Sequence, residues 1–570
     1  MTVADVKACN AAELPSLAAD VRERILATVA QNGGHLASSL GAVELAIALV
    51  RAFEPERDRV LWDVGHQAYA WKILTGRADR FGTLRRMGGI SGFPNPEESV
   101  CDAFVAGHAG AALSAAEGLA VARDRQGRTE HVVAVVGDAA LMNGMALEAL
   151  NDCVALTRRL ILVVNDNASA TAACSVDGLL DASGFRRLGP VDGHDLESLA
   201  VALETAKKTI GPIAVRVTTK KGKGFSPAEA DPTKWHGIGS FDLSAFRGHE
   251  SRDDVVDHAQ AGWSEFFGTA VCEAARRDPR VCALTAAMRE GTGLVPFARE
   301  FPDRFFDVGI CEEHLVTFAA GLAKGGMKPV VSVYSTFLQR AVDQVMHDVC
   351  LLNLPVVFGI DRAGAVGADG RTHHGMFDIP MLRCLPNLSI LQPKDASELA
   401  AMVEAALARC APVAIRYPRG CPDSLETRGN LADAKGLQWG RAEQMSNPDA
   451  PLQIWALGDQ VPKALKVSAL LAAKDVATGV VNVRFVKPFD AGLLACQRAA
   501  GARIVSLENG AVTGGFGEAI GADLRFGWPD VYVPHGTVAE LESAYGLAPE
   551  AIASQILTLS TSELLKAHLL

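Results

Sequence analysis

The chain has 570 residues, which is more than one ordinary hydrophobic core accommodates and indicates several domains, about two to four. Hydrophobic residues make up 49% of the chain and charged residues 21%, a composition typical of a water-soluble globular enzyme. The formal net charge of −11 disfavours nonspecific nucleic-acid binding, because attraction to phosphates needs a basic surface.

No part of the sequence indicates secretion or membrane insertion. Residues 1–20 carry early acidic residues and no apolar centre, which argues against a secretory signal. No run approaches the roughly twenty apolar residues that cross a bilayer. The 12 cysteines are scattered without a Cys-x-x-Cys pair and indicate free thiols, not a disulfide framework. These features predict a cytoplasmic protein.

The first region of the chain contains three histidines that each lie next to glycine. Residues 20–30 have helical spacing, and Gly33-Gly34 then break the pattern before His35. His66 and His108 each follow a glycine too, and glycine lets a backbone approach a ligand closely. A single histidine of this kind is more often structural. Three of them indicate loops that converge on a polar or anionic ligand.

Two apolar runs in the middle of this region end abruptly in polar residues. Residues 132–136 are followed by Gly137-Asp138, and residues 160–164 by Asn165-Asp166-Asn167. Runs of this kind predict buried parallel strands, and ligands of such sheets lie beyond the carboxyl ends of the strands. Neighbouring strands would therefore direct Asp138 and Asn167 to one point.

The chemistry of these two side chains predicts a metal and a phosphate. Asp and Asn oxygens suit Mg²⁺, which often bridges to phosphates, and a helix predicted over residues 140–156 would add N–H donors at its start. The alternative is two ordinary loops that are polar because they are loops. The basic run Lys220–Gly224 leaves the same choice between a phosphate cradle and a solvated loop end.

The rest of the pattern predicts an α/β fold in three blocks. Strands alternating with helices imply right-handed crossovers and mostly parallel sheets. The charged stretch 247–260 and the polar stretch 422–445 predict linkers, so the expected domains are residues 1–246, 262–425 and 446–570. Further predicted strands are 60–62, 212–217, 282–284, 329–333, 355–360, 412–416, 452–458 and 503–509, and an Ala-rich helix is predicted over 112–123.

From about residue 30 to its C-terminus the chain resembles the 1-deoxy-D-xylulose-5-phosphate synthases, a transketolase-like family of thiamine-diphosphate enzymes. The blocks that carry the resemblance are Gly137-Asp138 with Asn165-Asp166-Asn167, Gly33-Gly34-His35, Trp62-Asp63-Val64-Gly65-His66-Gln67, Gly107-His108 and Gly189-Pro190-Val191-Asp192-Gly193-His194-Asp195. The resemblance implies a diphosphate domain, an aminopyrimidine domain and a transketolase-like C-terminal domain.

The resemblance also implies where thiamine diphosphate and Mg²⁺ bind. Asp138, Asn167 and the main-chain carbonyl of Ser169 would hold the metal. The residues that match cofactor contacts are His66, Gly107, His108, Ala109, Ala139, Ala140, Asn167, Phe225, Tyr334 and Phe337.

Glu312, in Cys311-Glu312-Glu313-His314, matches the glutamate that faces the aminopyrimidine ring in the family. A buried carboxyl with a raised pKa suits that role, because it can hold a proton against the ring nitrogen. The alternative is a glutamate at a helix start that is merely stabilised by the helix dipole.

The reaction implied by the resemblance condenses pyruvate with glyceraldehyde 3-phosphate, with release of CO₂, in a homodimer. Arg362 and Arg419 match phosphate-binding arginines, and arginine suits a phosphate because its planar fork donates two parallel bonds. Arg340 and Asp369 match residues lining the acceptor pocket. His35, His236 and His373 match active-site histidines, and with His66 they are candidate proton carriers.

The sequence departs from the family pattern at several positions. Gly-Asp-Gly is replaced by Gly137-Asp138-Ala139, and alanine there costs about 1 kcal/mol if the position needs a positive φ. A hydroxyl-rich run is replaced by Ala109–Ala112, and 168–170 is Ala-Ser-Ala where the family has bulky side chains. Only 21 residues separate Asn167 from Gly189 (189 − 167 − 1), fewer than in the family.

These departures leave other functions open. One is a transketolase-type transferase that uses another donor or acceptor. A second is a catalytically inactive paralogue that binds a partner, although Asp138, Asn167 and Glu312 are retained. A third is an oxidative decarboxylase that feeds a lipoyl carrier, which the arginines directed at phosphate disfavour.

Overall fold

The computed structural model describes residues 1–156, 158–167, 176–246, 261–422 and 437–567. The described residues form two compact units. The first unit contains residues 1–246 together with 368–372, and the second contains 261–367 and 373–567. Ser169 and the predicted linker 247–260 lie outside the described residues.

The first unit is built on a parallel five-stranded sheet. Its strands are β1 Arg59–Trp62, β2 Val132–Gly137, β3 Ile161–Asp166, β4 Arg186–Asp192 and β5 Ile213–Thr218. Their order across the sheet is β1-β2-β3-β5-β4, and every pairing is parallel. Strands β2 and β3 are apolar and buried along nearly their whole length because helices cover both faces of a parallel sheet.

Helices of the first unit cover this sheet and bury both of its faces. The central strands pack their alternate residues into two separate apolar clusters, one on each face of the sheet. The α-helices are Val3–Ala8, Leu14–Asn32, Ala37–Gly41, Val43–Ala52, Tyr69–Lys72, Ala111–Arg125, Asp138–Leu141, Gly144–Leu156, Val176–Ser183, Leu196–Lys208 and Ser226–Ala230.

The second unit contains a seven-stranded sheet. Six strands come in sequence: β6 Val281–Thr285, β7 Phe305–Asp307, β8 Lys328–Tyr334, β9 Val357–Asp361, β10 Ser389–Leu391 and β11 Val413–Arg416. These six strands are parallel. The seventh, β15 Phe485–Lys487, comes from much later in the chain and pairs antiparallel with β10 at the edge of the sheet.

A five-stranded sheet completes the second unit. Its strands are β12 Glu443–Ser446, β13 Leu452–Ala456, β14 Thr478–Asn482, β16 Arg503–Ala511 and β17 Leu524–Trp528, in the order β12-β14-β13-β16-β17. Only the edge strand β12 runs antiparallel to its neighbour among these described strands.

The helices of the second unit pack against both sheets. They are Trp263–Arg277, Val295–Glu300, Glu312–Lys324, Ser335–Leu338, Val342–Gln344, Asp378–Arg383, Ala396–Leu407, Val461–Ala472, Ala491–Ala499, Phe516–Ala519, Val538–Ala544 and Pro549–Ala567. One apolar cluster contains residues of both sheets, among them Ile390 and Trp455, so the two sheets of this unit share a core.

The predicted fold class is confirmed, since both units are α/β and their sheets are mostly parallel. The predicted helix over 20–30 is longer than expected and spans Leu14–Asn32. Within the described ranges, no helix combines the length and the apolar character that a membrane span requires.

Candidate active site

The carboxyl ends of β2 and β3 bring two predicted ligand residues to the same edge of the first sheet. The strands are adjacent and parallel, with Gly137 opposite Asn165. Asp138 follows β2 directly, begins the helix Asp138–Leu141 and is buried. Asn167 follows β3 after Asp166. Strand register therefore sets both side chains at neighbouring strand ends, as expected for a parallel sheet.

The residues at this edge have the donors that a bound Mg²⁺ would use. The Oδ1 atom of Asn167 is buried and has no hydrogen-bond partner among the described residues. Burial lowers the pKa of Lys221, and the nearby Asp138 carboxylate opposes that shift. A buried amide oxygen and a carboxylate match the oxygen ligands of Mg²⁺, while Lys221 adds a positive charge for an anionic group.

In the parts of the chain that the structure describes, no three His, Cys, Asp or Glu side chains cluster as a metal site. Asp138 and Asn167 would each offer a side-chain oxygen to a metal at this edge of the sheet. Mg²⁺ fits this arrangement because it keeps waters and phosphate oxygens in its coordination shell.

Ala139 has helical backbone geometry. It lies inside the helix Asp138–Leu141 and is not among the residues with a positive φ. Alanine instead of glycine therefore causes no backbone strain at this position.

We expect Ala139→Gly to lower the free energy of unfolding by about 0.5–1 kcal/mol, because glycine is the weaker helix former. Denaturant titration of both proteins measures the difference. Gly118→Ala, in the helix Ala111–Arg125 where an added Cβ meets no atom within 4 Å, is a matched change in the opposite direction. A gain in stability from Ala139→Gly would show that the position is strained.

Three predicted histidines form a cluster in the first unit. The ring centroids of His35 and His66 are 5.9 Å apart, those of His35 and His236 5.7 Å, and those of His66 and His236 5.2 Å. The sequence places these residues far apart, so the fold alone brings them together. Ser38 Oγ lies 3.3 Å from His236 Nδ1 and helps to orient that ring.

Two histidines of this cluster, His66 and His236, are neutral near physiological pH. Burial lowers the pKa of His66 well below its usual value, and repulsion from His236 and His35 adds to the effect. Burial, with a contribution from Lys221, lowers the pKa of His236 to about 4. Nδ1 of His66 is buried and has no hydrogen-bond partner among the described residues. A neutral ring can donate one hydrogen bond and accept another, which suits a polar ligand.

Asp63 fixes the end of the loop that contains Gly107, His108 and Ala109, three residues predicted to contact the cofactor. Its buried carboxylate accepts hydrogen bonds from the backbone N–H groups of Gly110 at 2.8 Å and Ala112 at 3.0 Å. His108 Nε2 lies 2.9 Å from the carbonyl oxygen of Thr372. Gly107 has φ +155°, and a Cβ there would lie 2.6 Å from Thr372, so glycine permits this close approach.

Asp369 belongs to the first unit and forms an ion pair there. Arg85 Nη1 donates to Asp369 Oδ1 at 2.5 Å. Burial opposes the charge of Arg85, but Asp369 and Tyr69 hold its pKa above the usual value. Tyr69 also accepts a hydrogen bond from the N–H of His35 at 3.2 Å. No pattern in the sequence marks Arg85 or Tyr69, because their partners are distant in the chain.

Glu312 in the second unit is buried, with 6% of its surface exposed. It begins the helix Glu312–Lys324. Burial raises its pKa to about 7, although its own backbone N–H and the nearby Arg340 oppose the shift. A helix dipole alone would lower the pKa. Burial therefore dominates, and the carboxyl holds a proton over much of the neutral range.

Tyr334, Phe337 and His373 form a series of ring contacts. Tyr334 and Phe337 are stacked with centroids 5.3 Å apart, and Phe337 meets His373 edge to face at 5.6 Å. The guanidinium of Arg362 lies over the Tyr334 ring, 3.9 Å from its centroid. Arg362 Nη1 donates to Asp361 Oδ1 at 2.8 Å and to the carbonyl oxygen of Gly291 at 2.9 Å.

The remaining predicted residues lie in separate parts of the chain. Arg419 Nη1 donates to the carbonyl oxygen of Val366 at 3.1 Å. Arg340 lies near Glu312. Phe225 packs among the rings of Trp235, Phe241 and Phe246, with the Trp235 centroid 5.0 Å away. Ala140 is buried after Asp138.

Three family models match consecutive parts of the chain. The model described as 1-deoxy-D-xylulose-5-phosphate synthase matches residues 1–179 and 169–219. The transketolase pyrimidine-binding domain matches residues 259–422, and the transketolase C-terminal domain matches residues 440–552.

Curated relatives match nearly the whole chain. The 1-deoxy-D-xylulose-5-phosphate synthase of Oleidesulfovibrio alaskensis is 42% identical, covering 97% of this chain and 96% of that protein. The one from Thermus thermophilus is 45% identical over 96% of each chain. Among solved structures, the transketolase from Leishmania mexicana is 20% identical with a TM-score of 0.47, covering 95% of this chain and 96% of that one.

Proposed function

Because the chain belongs to the 1-deoxy-D-xylulose-5-phosphate synthase family, we propose that it condenses pyruvate with glyceraldehyde 3-phosphate to 1-deoxy-D-xylulose 5-phosphate and CO₂. The protein is then a transferase that supplies a precursor for isoprenoid and thiamine synthesis. One observation in the structure supports this most strongly: the buried Glu312 with a pKa of about 7.

The cofactors are thiamine diphosphate and Mg²⁺. When bound, thiamine diphosphate supplies a nucleophilic carbon and takes up the electron pair that is left when CO₂ departs. Asp138, Asn167 and the carbonyl of Ser169 would hold the metal. The unpartnered Oδ1 of Asn167 and the charge of Asp138 support this assignment.

Residues at the two ends of the cofactor have different tasks. Tyr334, Phe337 and Glu312 would contact the aminopyrimidine. The other proposed contacts of thiamine diphosphate are His66, Gly107, His108, Ala109, Ala139, Ala140, Asn167 and Phe225. Glu312 would hold a proton on its carboxyl and donate it in a hydrogen bond to a ring nitrogen. Its raised pKa supports the role, since a donor must be protonated at working pH.

The remaining polar residues would handle the substrates. His35, His236 and His373 are proposed to donate and accept protons at the reacting oxygens, and the neutral state of His236 suits both tasks. Arg340, Arg362 and Arg419, with Asp369, are proposed to bind the acceptor and its phosphate. The ion pair between Arg85 and Asp369 would hold the Asp369 side chain in place. The stacking of Arg362 on Tyr334 would do the same for Arg362.

The same family relationship supports a proposal for the organisation of the protein. We propose three domains, at residues 1–246, 262–425 and 446–570. We also propose a homodimer in the cytoplasm, with small-molecule substrates and no nucleic-acid or membrane partner.

Product analysis tests the reaction. The protein is incubated with pyruvate, glyceraldehyde 3-phosphate, thiamine diphosphate and Mg²⁺, and we expect CO₂ release and 1-deoxy-D-xylulose 5-phosphate in equal amounts. Parallel incubations with ketose phosphates test for a transketolase-type transferase, and incubation with lipoamide tests for reductive acylation. Product only from ketose phosphates would refute the synthase. Absence of thiamine-diphosphate binding in calorimetry would indicate an inactive paralogue.

A further inference from the structure

Lys221, in the loop after β5, lies within electrostatic range of Asp138. Four hydrogen bonds hold the backbone in and around this loop. Three of these bonds join backbone groups: Gly193 N–H to Thr218 O at 2.8 Å, Thr219 N–H to Asp166 O at 2.9 Å and Gly222 N–H to Ala37 O at 2.8 Å. The fourth bond uses a side chain, because the N–H of Lys220 donates to Nε2 of His194 at 2.9 Å.

The two nitrogens of His194 have different partners, which fixes the form of the ring. Nε2 accepts from Lys220, so it carries no proton. Nδ1 lies 3.0 Å from Oε2 of Glu44, so the ring proton is on Nδ1 and is donated to the carboxylate. The bond to Lys220 therefore exists only with the neutral ring in this tautomer.

Glu44 is an acceptor that keeps its charge. It lies in the helix Val43–Ala52 and also receives a hydrogen bond from Arg22. Burial opposes its ionisation, but the bonds from His194 and Arg22 lower its pKa to about 2. The carboxylate therefore persists over the neutral range and holds the Nδ1 proton of His194.

The surroundings leave little space for the loop to move. A Cβ at Gly41 would lie 2.8 Å from the carbonyl oxygen of Lys220, and a Cβ at Gly193 would lie 2.5 Å from Cγ2 of Thr219. The helix Ala37–Gly41 is thus packed against the backbone of Lys220, and Gly193 is packed against the side chain of Thr219. A Cβ at Gly41 would also lie 3.3 Å from Cα of Lys221, so the same helix restricts both lysines.

We propose that His194 and Glu44 are positioning residues that fix the backbone at Lys220 through their hydrogen bonds and thereby hold the neighbouring Lys221 within electrostatic range of Asp138. The inference rests on the proposed function, which assigns Asp138 to the metal and diphosphate. It deepens that function, because neither His194 nor Glu44 is among the residues proposed to touch cofactor or substrate.

Two substitutions at His194 separate positioning from simple packing. His194→Asn keeps one donor and one acceptor, whereas His194→Leu removes both. We expect His194→Leu to weaken thiamine-diphosphate binding in the presence of Mg²⁺, measured by calorimetry, and to lower kcat/KM, each by about tenfold to a hundredfold. His194→Asn should stay within about threefold of the wild type. His347→Leu is the matched control, because His347 Nδ1 pairs with Asp348 at 2.8 Å on the surface.

A double-mutant cycle tests whether His194 acts through Lys221. If it does, His194→Leu weakens cofactor binding much less in a Lys221→Met background than in the wild type. Equal losses in both backgrounds would refute the inference, as would equal losses in the Leu and Asn variants or unchanged binding in His194→Leu.

A second variant and a binding measurement make the test independent of whether His194→Leu folds and of whether the proposed reaction is correct. If His194→Leu does not fold, Glu44→Gln preserves the side-chain volume while removing the charge, and the same non-additivity with Lys221→Met is expected. Additive losses in that cycle would also refute the inference. Cofactor affinity is measured without turnover, so a wild-type protein that binds the cofactor but makes no product contradicts the proposed reaction and leaves the positioning test valid.

Discussion

Replacement of Glu312 by alanine is expected to reduce turnover by about 10²- to 10⁴-fold while thiamine diphosphate still binds measurably. The reason is that the buried carboxyl, whose pKa is raised to about 7, is the group proposed to hold a proton against the cofactor ring. Steady-state formation of product measures the loss, and calorimetry measures the retained affinity.

Glu313→Gln is the control for this substitution, since Glu313 is the next residue in the same helix. It should change turnover by less than about threefold, because general acid–base losses are confined to the group that carries the proton. Undiminished turnover in Glu312→Ala would rule out the proposed role. Loss of cofactor binding alone would instead assign Glu312 to binding.

Glu312 should also affect how stability depends on pH. Its pKa in the folded protein, about 7, lies above the ordinary value of 4.5. The folded chain therefore retains a proton that the unfolded chain releases. The stabilising contribution is complete below the unfolded pKa and is lost as the pH rises through about 7. In Glu312→Gln this decline should be smaller when the free energy of unfolding is compared between about pH 5 and pH 8. The pKa of Glu508 is also raised, to about 7. Because Glu508 is present in both the wild type and Glu312→Gln, its contribution cancels when the two proteins are compared.

Arg416→Met is expected to lower the free energy of unfolding of the second unit by about 3–5 kcal/mol, because it leaves the buried carboxylate of Asp378 without its charged partner. Arg416 lies at the end of β11 with 1% of its surface exposed. Its guanidinium donates to both oxygens of Asp378, at 2.9 and 3.0 Å, and to Gln392 and Asn509. Denaturant titration followed by tryptophan fluorescence measures the change.

Two variants show whether this effect comes from burial. Arg276→Met removes an exposed arginine that pairs with Glu300 at 2.6 Å, and it should change stability by less than about 1 kcal/mol. Adding Asp378→Leu to Arg416→Met removes the orphaned charge and should recover part of the loss. A difference between Arg416→Met and Arg276→Met of less than about 1 kcal/mol would contradict the expectation.

The sequence was sufficient to predict the α/β class and the strands β1, β2, β3 and β5 of the first block, because apolar runs that end in polar residues have few other interpretations. Strand β4 was not predicted, because most of its residues are exposed or half-buried and carry no apolar run. The pairing of β2 with β3 follows the same logic and explains why Asp138 and Asn167 could be singled out. Glu312 required the resemblance to the family, since a single glutamate at a helix start carries no periodic signal.

Other features depend on contacts between residues far apart in the chain, which a sequence pattern does not contain. Arg85 and Asp369 are 284 positions apart, and the three clustered histidines follow different strands or helices. The basic run that contains Lys221 is visible in the sequence. The electrostatic effect of Asp138 on Lys221, however, depends on how the loop after β5 folds. Strand β15 is too short, at three residues, to show a period-2 pattern.

The strand β15, Phe485–Lys487, lies within the C-terminal family match yet forms the border of the sheet built by residues 281–416. A chain that ended at residue 422, the limit of the pyrimidine-domain match, would leave β10 with a bare row of peptide groups. Such rows template association between separate chains and lead to aggregates. Gene fission or module exchange that separated these two segments would therefore expose this sheet edge and favour aggregation.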